Sequence, residues 1–162
     1  MAQNKDDVVV HPTPVWRERA NFIIAARIDD PRPSQSWRWE QLWARQIEEN
    51  RFEICCIPFF LYDLALGDEV TTQTTEGKQY VISEILKQSG HYTFRVWFHD
   101  PTARETVGDE LAELGCLTES RGPDSKLLAV DAGSEDLAKA ASGLLLQREA
   151  TGKLQYETGR TK

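Results

Sequence analysis

The chain has 162 residues, 40% of them hydrophobic and 28% charged, which is enough apolar content to bury a core in one domain or two small ones. Its formal net charge of −7 is shared between the two halves and shows no basic stripe, which argues against a nucleic-acid binder. No apolar run approaches the roughly 18 residues of a membrane span. The N-terminal Met-Ala-Gln-Asn-Lys-Asp-Asp lacks the regions of a secretory signal, so a cytoplasmic protein is expected.

Residues 1–20 read as a partly disordered segment, polar and frayed over 1–12. Residues 21–28 form the first clear strand, and 29–36, rich in Pro, Ser and Asp, read as a loop. Residues 39–47 fit both periods. Leu42, Trp43, Gln46 and Ile47 suit a helical face, while Trp39, Trp43 and Ile47 share a strand face. The strand is preferred, because Glu48-Glu49-Asn50 then turns into a strand at Phe52–Ile57. Pro58 breaks that run. Strands at about 69–75, 79–88 and 91–98 follow, joined by Glu76-Gly77-Lys78 and Ser89-Gly90. Gly67, between Leu66 and Asp68, reads as a turn position with positive φ.

The pattern then changes. Thr102-Ala-Arg-Glu105 has the form of a capping box, with Val107, Leu111 and Leu114 at helical spacing and Gly115 as the stop. Strands at Leu117–Arg121 and Lys126–Val130 flank Gly122-Pro123-Asp124-Ser125. Ser134 caps a second helix with an apolar stripe of Leu137, Ala141, Leu144 and Leu145. Gly152 ends it, and Lys153–Glu157 form a last strand. The expected fold is α+β. A small β-barrel-like part over 21–98 is followed by a ferredoxin-like β-α-β-β-α-β part over 92–158, with strand 92–98 shared between them and coupling them.

Glu40-Gln41-Leu42-Trp43-Ala44, Cys56-Ile57-Pro58-Phe59-Phe60, Leu64-Ala65-Leu66-Gly67-Asp68-Glu69-Val70 and Phe94-Arg95-Val96-Trp97-Phe98 resemble a bacterial family known as domain of unknown function 4265. The Ile-Pro-Phe-Phe and Leu-Gly-Asp-Glu-Val pieces are the specific ones. The resemblance spans most of the chain and implies a small soluble bacterial protein. It carries over no catalytic residue.

Candidate chemistry is sparse. His91 and His99 sit at opposite ends of one strand, roughly 26 Å apart at about 3.3 Å per residue, and cannot share a metal. No metal site is expected. The odd count of three cysteines suits a reducing compartment. Cys56 as a nucleophile needs a histidine base, for which His91 is a candidate. Its apolar context instead favours an inert, packed thiol. Asp63, Asp68, Glu69 and Glu84 are available for acid–base work, with Asp68 better read as bonding the backbone of its turn. No phosphate loop or nucleophile elbow appears, and no cofactor is expected.

Trp37, Trp39 and Trp43 lie within seven residues, with Phe59, Phe60 and Tyr62 further on. Core filling is the first expectation for these rings, a partner surface the second and base stacking the third. Trp37, after a Pro/Ser-rich loop, is expected at the surface, and Trp39 or Trp43 in the core. A partner surface would use Trp37, Phe59, Phe60, Tyr62 and Asp63. The preferred function is a non-enzymatic protein that binds another protein. Its sharpest form is an immunity or antitoxin protein that neutralises a basic effector. The alternatives are a small-molecule-sensing regulatory domain, or an enzyme whose site lies between the two halves.

Overall fold

The segment whose periodicity fits both helix and strand is a strand. β3, Arg38–Glu48, runs eleven residues and is the spine of a closed barrel. Along one edge it pairs with β2, Phe22–Arg27; along the other it pairs with β1, Asp7–Val9, and then with β4, Arg51–Ile54. β5, Glu69–Thr75, and β6, Lys78–Lys87, carry the sheet round from β4. A single parallel pairing, Ala25 with Val81, joins β6 back to β2 and closes a five-stranded barrel. The computed structural model behind this description covers residues 7–29 and 38–160.

Two features of the barrel follow from local chemistry. Glu76 and Gly77 both have positive φ, 54° and 76°, the two-residue turn whose twist matches the flanking strands of a hairpin. Gly67 has φ 85°, as expected, and its N–H donates to the Ile54 carbonyl at 2.8 Å. Asp68 then braces that turn, accepting from the Ala65 and Ser89 N–H groups at 2.9 and 2.8 Å.

Some expectations fail here. The strand after the Glu49-Asn50 turn stops at Ile54 rather than Ile57, because the chain must dive inward as a loop toward Pro58. The barrel interior is filled by the Glu40, Leu42 and Ala44 side of β3, not by the side bearing Trp39, Trp43 and Ile47. Trp39 is nevertheless only 1% exposed, since Arg27 and Lys78 lie over its ring. Trp43 is half-buried beneath Arg17. Residues 7–20 are not loose either. β1 pairs with β3, Val9 is buried, and the Trp16 N–H donates to the Cys55 carbonyl.

The second sheet contains β7, Tyr92–Phe98; β8, Leu117–Ser120; β9, Leu127–Ala132; and β10, Leu154–Thr158. They lie in the order β10-β7-β9-β8, antiparallel throughout. Helices α1, Pro101–Leu114, and α2, Glu135–Ala150, cover one face. Phe94, Val96, Phe98, Leu128 and Val130 pack there against Val107, Leu111, Ala141 and Leu145. Both edges of β7 are taken by β9 and β10, so β7 belongs to this sheet alone and is not shared with the barrel.

Ser134 caps α2 as expected, accepting from the Leu137 N–H. The cap of α1 is Asp100 and not Thr102, because Pro101 suits the first helical position and starts the helix earlier. Leu114, expected on the apolar stripe, is exposed. No helix among the described residues is long and apolar enough to cross a membrane.

Candidate functional site

Period-two alternation turns Thr93, Arg95, Leu127, Ala129 and Asp131 away from the helices and toward the barrel, while Trp97 on the same side is exposed. Leu127 and Ala129 join the barrel's apolar core, so the two halves meet on this face. One cross-strand row reads Glu157, Arg95, Ala129, Glu119. Three of its four members are charged, and Arg95 and Glu119 are buried.

Glu119 and the barrel's Glu40 grip the same histidine. His11 Nδ1 lies 2.7 Å from Glu119 Oε1, and Nε2 lies 2.7 Å from Glu40 Oε2. The Phe59 ring stacks on the imidazole at 4.1 Å, inclined by 7°. Burial alone would lower the pKa of His11. The adjacent Cys56 sulfur and the hydrogen bonds to Glu119 and Glu40 outweigh it and raise the value from 6.5 to about 12. His11 is therefore an imidazolium donating from both nitrogens.

The two carboxylates also organise the Ile-Pro-Phe-Phe loop. Glu119 Oε2 accepts from the Ile57 and Val15 N–H groups at 2.6 and 3.2 Å. Glu40 accepts from Phe59 and Phe60 at 2.7 and 2.9 Å. Pro58 occupies the one position of the four that has no N–H to satisfy. With both imidazole nitrogens engaged and the side chain wholly buried, this cluster ties the two halves together and is closed to solvent.

Cys56, weighed at the sequence level with His91 as its base, lies instead beside His11 and is fully buried. Burial drives its thiol pKa up despite His11, which leaves it inert. His91 pairs with Asp131, its Nδ1 2.9 Å from both carboxylate oxygens, with Trp16 edge-on to the ring. Burial lifts Asp131 from 3.8 to about 6 against the lowering effect of His91. The space here is about 10 Å³, room for a single water at most. The adjacent Ser89 Oγ donates to the Leu66 carbonyl, so no activated nucleophile accompanies the pair. Among the described residues no cluster of His, Cys, Asp or Glu has the make-up of a metal site.

Open space lies elsewhere. A groove of about 600 Å³ runs between the 60–64 loop and strands β2, β5 and β6. Phe60, Tyr62 and Asp63 line it with Ile82, Ile85 and Asp29. Three of the residues singled out from the sequence thus converge on one groove of ligand-binding size. Phe59 does not join them. It is fully buried, because its ring is the platform for His11. Trp37 lies outside the described residues. A hollow of about 730 Å³ beside the start of α1 is walled by His99, Lys153, Glu110 and Arg148, the last two already paired with each other.

A family model described as a domain of unknown function, DUF4265, matches residues 40–156, which takes in both carboxylates, the loop and the second sheet. The chain belongs to the DUF4265 family. No curated protein matches it. Among solved structures it is similar to one described as a novel crystal structure of a hypothetical protein from Neisseria gonorrhoeae. That likeness has a TM-score of 0.66 at 19% identity, covering 86% of this chain and 96% of the other. It supports the fold of this DUF4265 protein and carries no activity.

Proposed function

We propose that this is a non-enzymatic binding protein whose 60–64 groove receives a basic segment of a protein partner. The observation that carries the reading is the convergence of Phe60, Tyr62 and Asp63 on one open groove with an aliphatic wall. Rings supply desolvated anchors, which is where interface energy concentrates. The net charge of −7 suits a cationic partner, and the groove itself is mixed, with Arg27 beside Asp29 and Asp63. An immunity or antitoxin protein that neutralises a basic effector is the sharpest form of this reading. Three free, buried thiols, Cys55, Cys56 and Cys116, are in keeping with a cytoplasmic setting.

The test is cross-linking in a bacterial extract, recovery of the partner, and titration against wild type and Tyr62→Ala at low and high salt. Tyr62→Ala should weaken the complex by about 2 kcal/mol, and salt should mainly slow association. A complex indifferent to both changes would refute the groove as its seat.

A second reading, small-molecule sensing, has its own support. The order β10-β7-β9-β8 with both helices on one face is what a ferredoxin-like module would have. We propose that arrangement for residues 92–158.

A further inference from the structure

Among the described residues, Arg95 is an unusual side chain. It is 1% exposed, and its Nε, Nη1 and Nη2 have no hydrogen-bond partner in the protein. A guanidinium carries five N–H donors and stays charged, and buried polar groups are nearly always bonded. Glu157 Oε1 is its nearest counter-charge, 3.7 Å from Nη1, beyond hydrogen-bond length. Thr93 Oγ1, two residues away on the same face, is likewise buried without a partner.

Tyr62 covers this pair. Its ring lies 4.5 Å from the Arg95 guanidinium carbon, and its hydroxyl donates to Glu157 Oε1 at 2.7 Å. The same ring forms part of the groove wall and is 44% exposed. The backbone beneath it is pinned, since the Asp63 N–H donates to the Gly159 carbonyl at 2.6 Å. Rotation of the Tyr62 side chain, a fast motion for an exposed residue, would lift its ring off the Arg95 guanidinium without moving this backbone.

We propose that Tyr62 is a displaceable cover, and that beneath it Arg95 and Glu157 form a binding site for a free apolar α-amino acid. Rotation of Tyr62 releases a guanidinium and a carboxylate side by side. The ligand's carboxylate takes the planar fork of Arg95, and its ammonium takes the Glu157 oxygen that the phenol leaves. Its side chain enters the groove against Leu61, Ile82 and Ile85. A plain carboxylate would be repelled by Glu157, and a plain amine by Arg95. A zwitterion satisfies both. The site does not depend on a protein docking in the groove.

Calorimetric titration with L-leucine, L-valine and L-isoleucine tests the site, with N-acetyl-leucine and leucinamide as analogues that each lack one charge. At least one free amino acid should bind wild type, and its blocked analogues should bind about tenfold or more weakly. Tyr62→Ala should tighten amino-acid binding several-fold, by removing an internal competitor, whereas it should weaken a docked protein. The two readings can therefore fail separately. Arg95→Met should abolish binding. Glu157→Gln, at a part-exposed position, should weaken it without touching the fold. No binding to wild type or Tyr62→Ala at about 10 mM ligand would overturn the proposal. So would binding that survives both the Arg95 and Glu157 changes, or blocked analogues that bind as well as the free amino acid.

Discussion

Replacing His11 by Gln removes the one cation between two buried carboxylates. Glu40 and Glu119 each keep two backbone N–H donors, so the loop is not stripped of all its bonds. What is lost is the positive charge and the ring stacked on Phe59. Breaking a buried ion pair by removing one member costs about 3–5 kcal/mol. Against a total stability of about 5–15 kcal/mol, that is a large fraction. Urea denaturation should show it as a lower midpoint with little change in slope. His99→Gln, at an exposed position, is the matched control and should be near neutral. The pH dependence supplies a second readout. The folded pKa of His11, about 12, lies above the unfolded 6.5. Its contribution is therefore full below pH 6.5 and is lost as pH rises toward 12. Above pH 6.5 wild type should lose stability faster with rising pH than His11→Gln does. A variant within about 0.5 kcal/mol of wild type, or parallel pH profiles above pH 7, would refute the charged clamp.

Three further outcomes are expected. Gly67→Val should destabilise by about 1 kcal/mol or more, seen as a lower melting temperature, since φ is 85° and a Cβ would sit 3.0 Å from the Ser89 Cβ. Asp131 has a folded pKa of about 6 above an unfolded 3.8, so its contribution is present below pH 3.8 and lost through pH 6. Thermal melts of Asp131→Asn should accordingly be flatter than wild type across that interval. Burial drives all three thiols up, Cys55 to about 12 and Cys116 to about 11, so native protein should resist a thiol reagent that labels all three in denaturant.

What the sequence discloses depends on how local the cause is. The Glu76-Gly77 turn, the positive φ of Gly67, the brace from Asp68 and the Ser134 cap each rest on neighbours a few residues away, and each was legible. The α1 cap was misplaced by two residues because Thr102 and Glu105 imitate a capping box while Pro101 decides the start. The inward face of β3 was not legible. Rings outrank a carboxylate in any burial argument, yet Glu40 is inside and Trp43 only half so. His11 gave no signal at all, its partners being 29 and 108 residues distant. Arg95 reads as the solvent side of an alternating strand, and only the docking of the barrel turns that side into an interior. The groove was half legible. Phe60, Tyr62 and Asp63 stood out, while Phe59 was claimed by His11.

The seam between the halves has an order of causes. The chain must leave β4 through an irregular loop, and the N–H groups of Ile57, Phe59 and Phe60 then enter the interior with no strand to meet them. Two carboxylates, one from each half, supply the acceptors. Two buried carboxylates in turn require a cation, and His11 provides it with a proton held well beyond neutrality. An apolar seam of equal volume can match an ion pair where the charges serve nothing else, but here they serve the loop. Such a seam would leave three buried donors without partners, at about 1–3 kcal/mol each. Each charge at this end of the Glu157–Arg95–Ala129–Glu119 row is thus accounted for by the backbone it serves. Arg95 serves no backbone group, and its guanidinium is covered by a ring that can turn away. The structural argument that explains His11, Glu40 and Glu119 does not reach it, and for that reason a ligand belongs at Arg95 and not at the histidine.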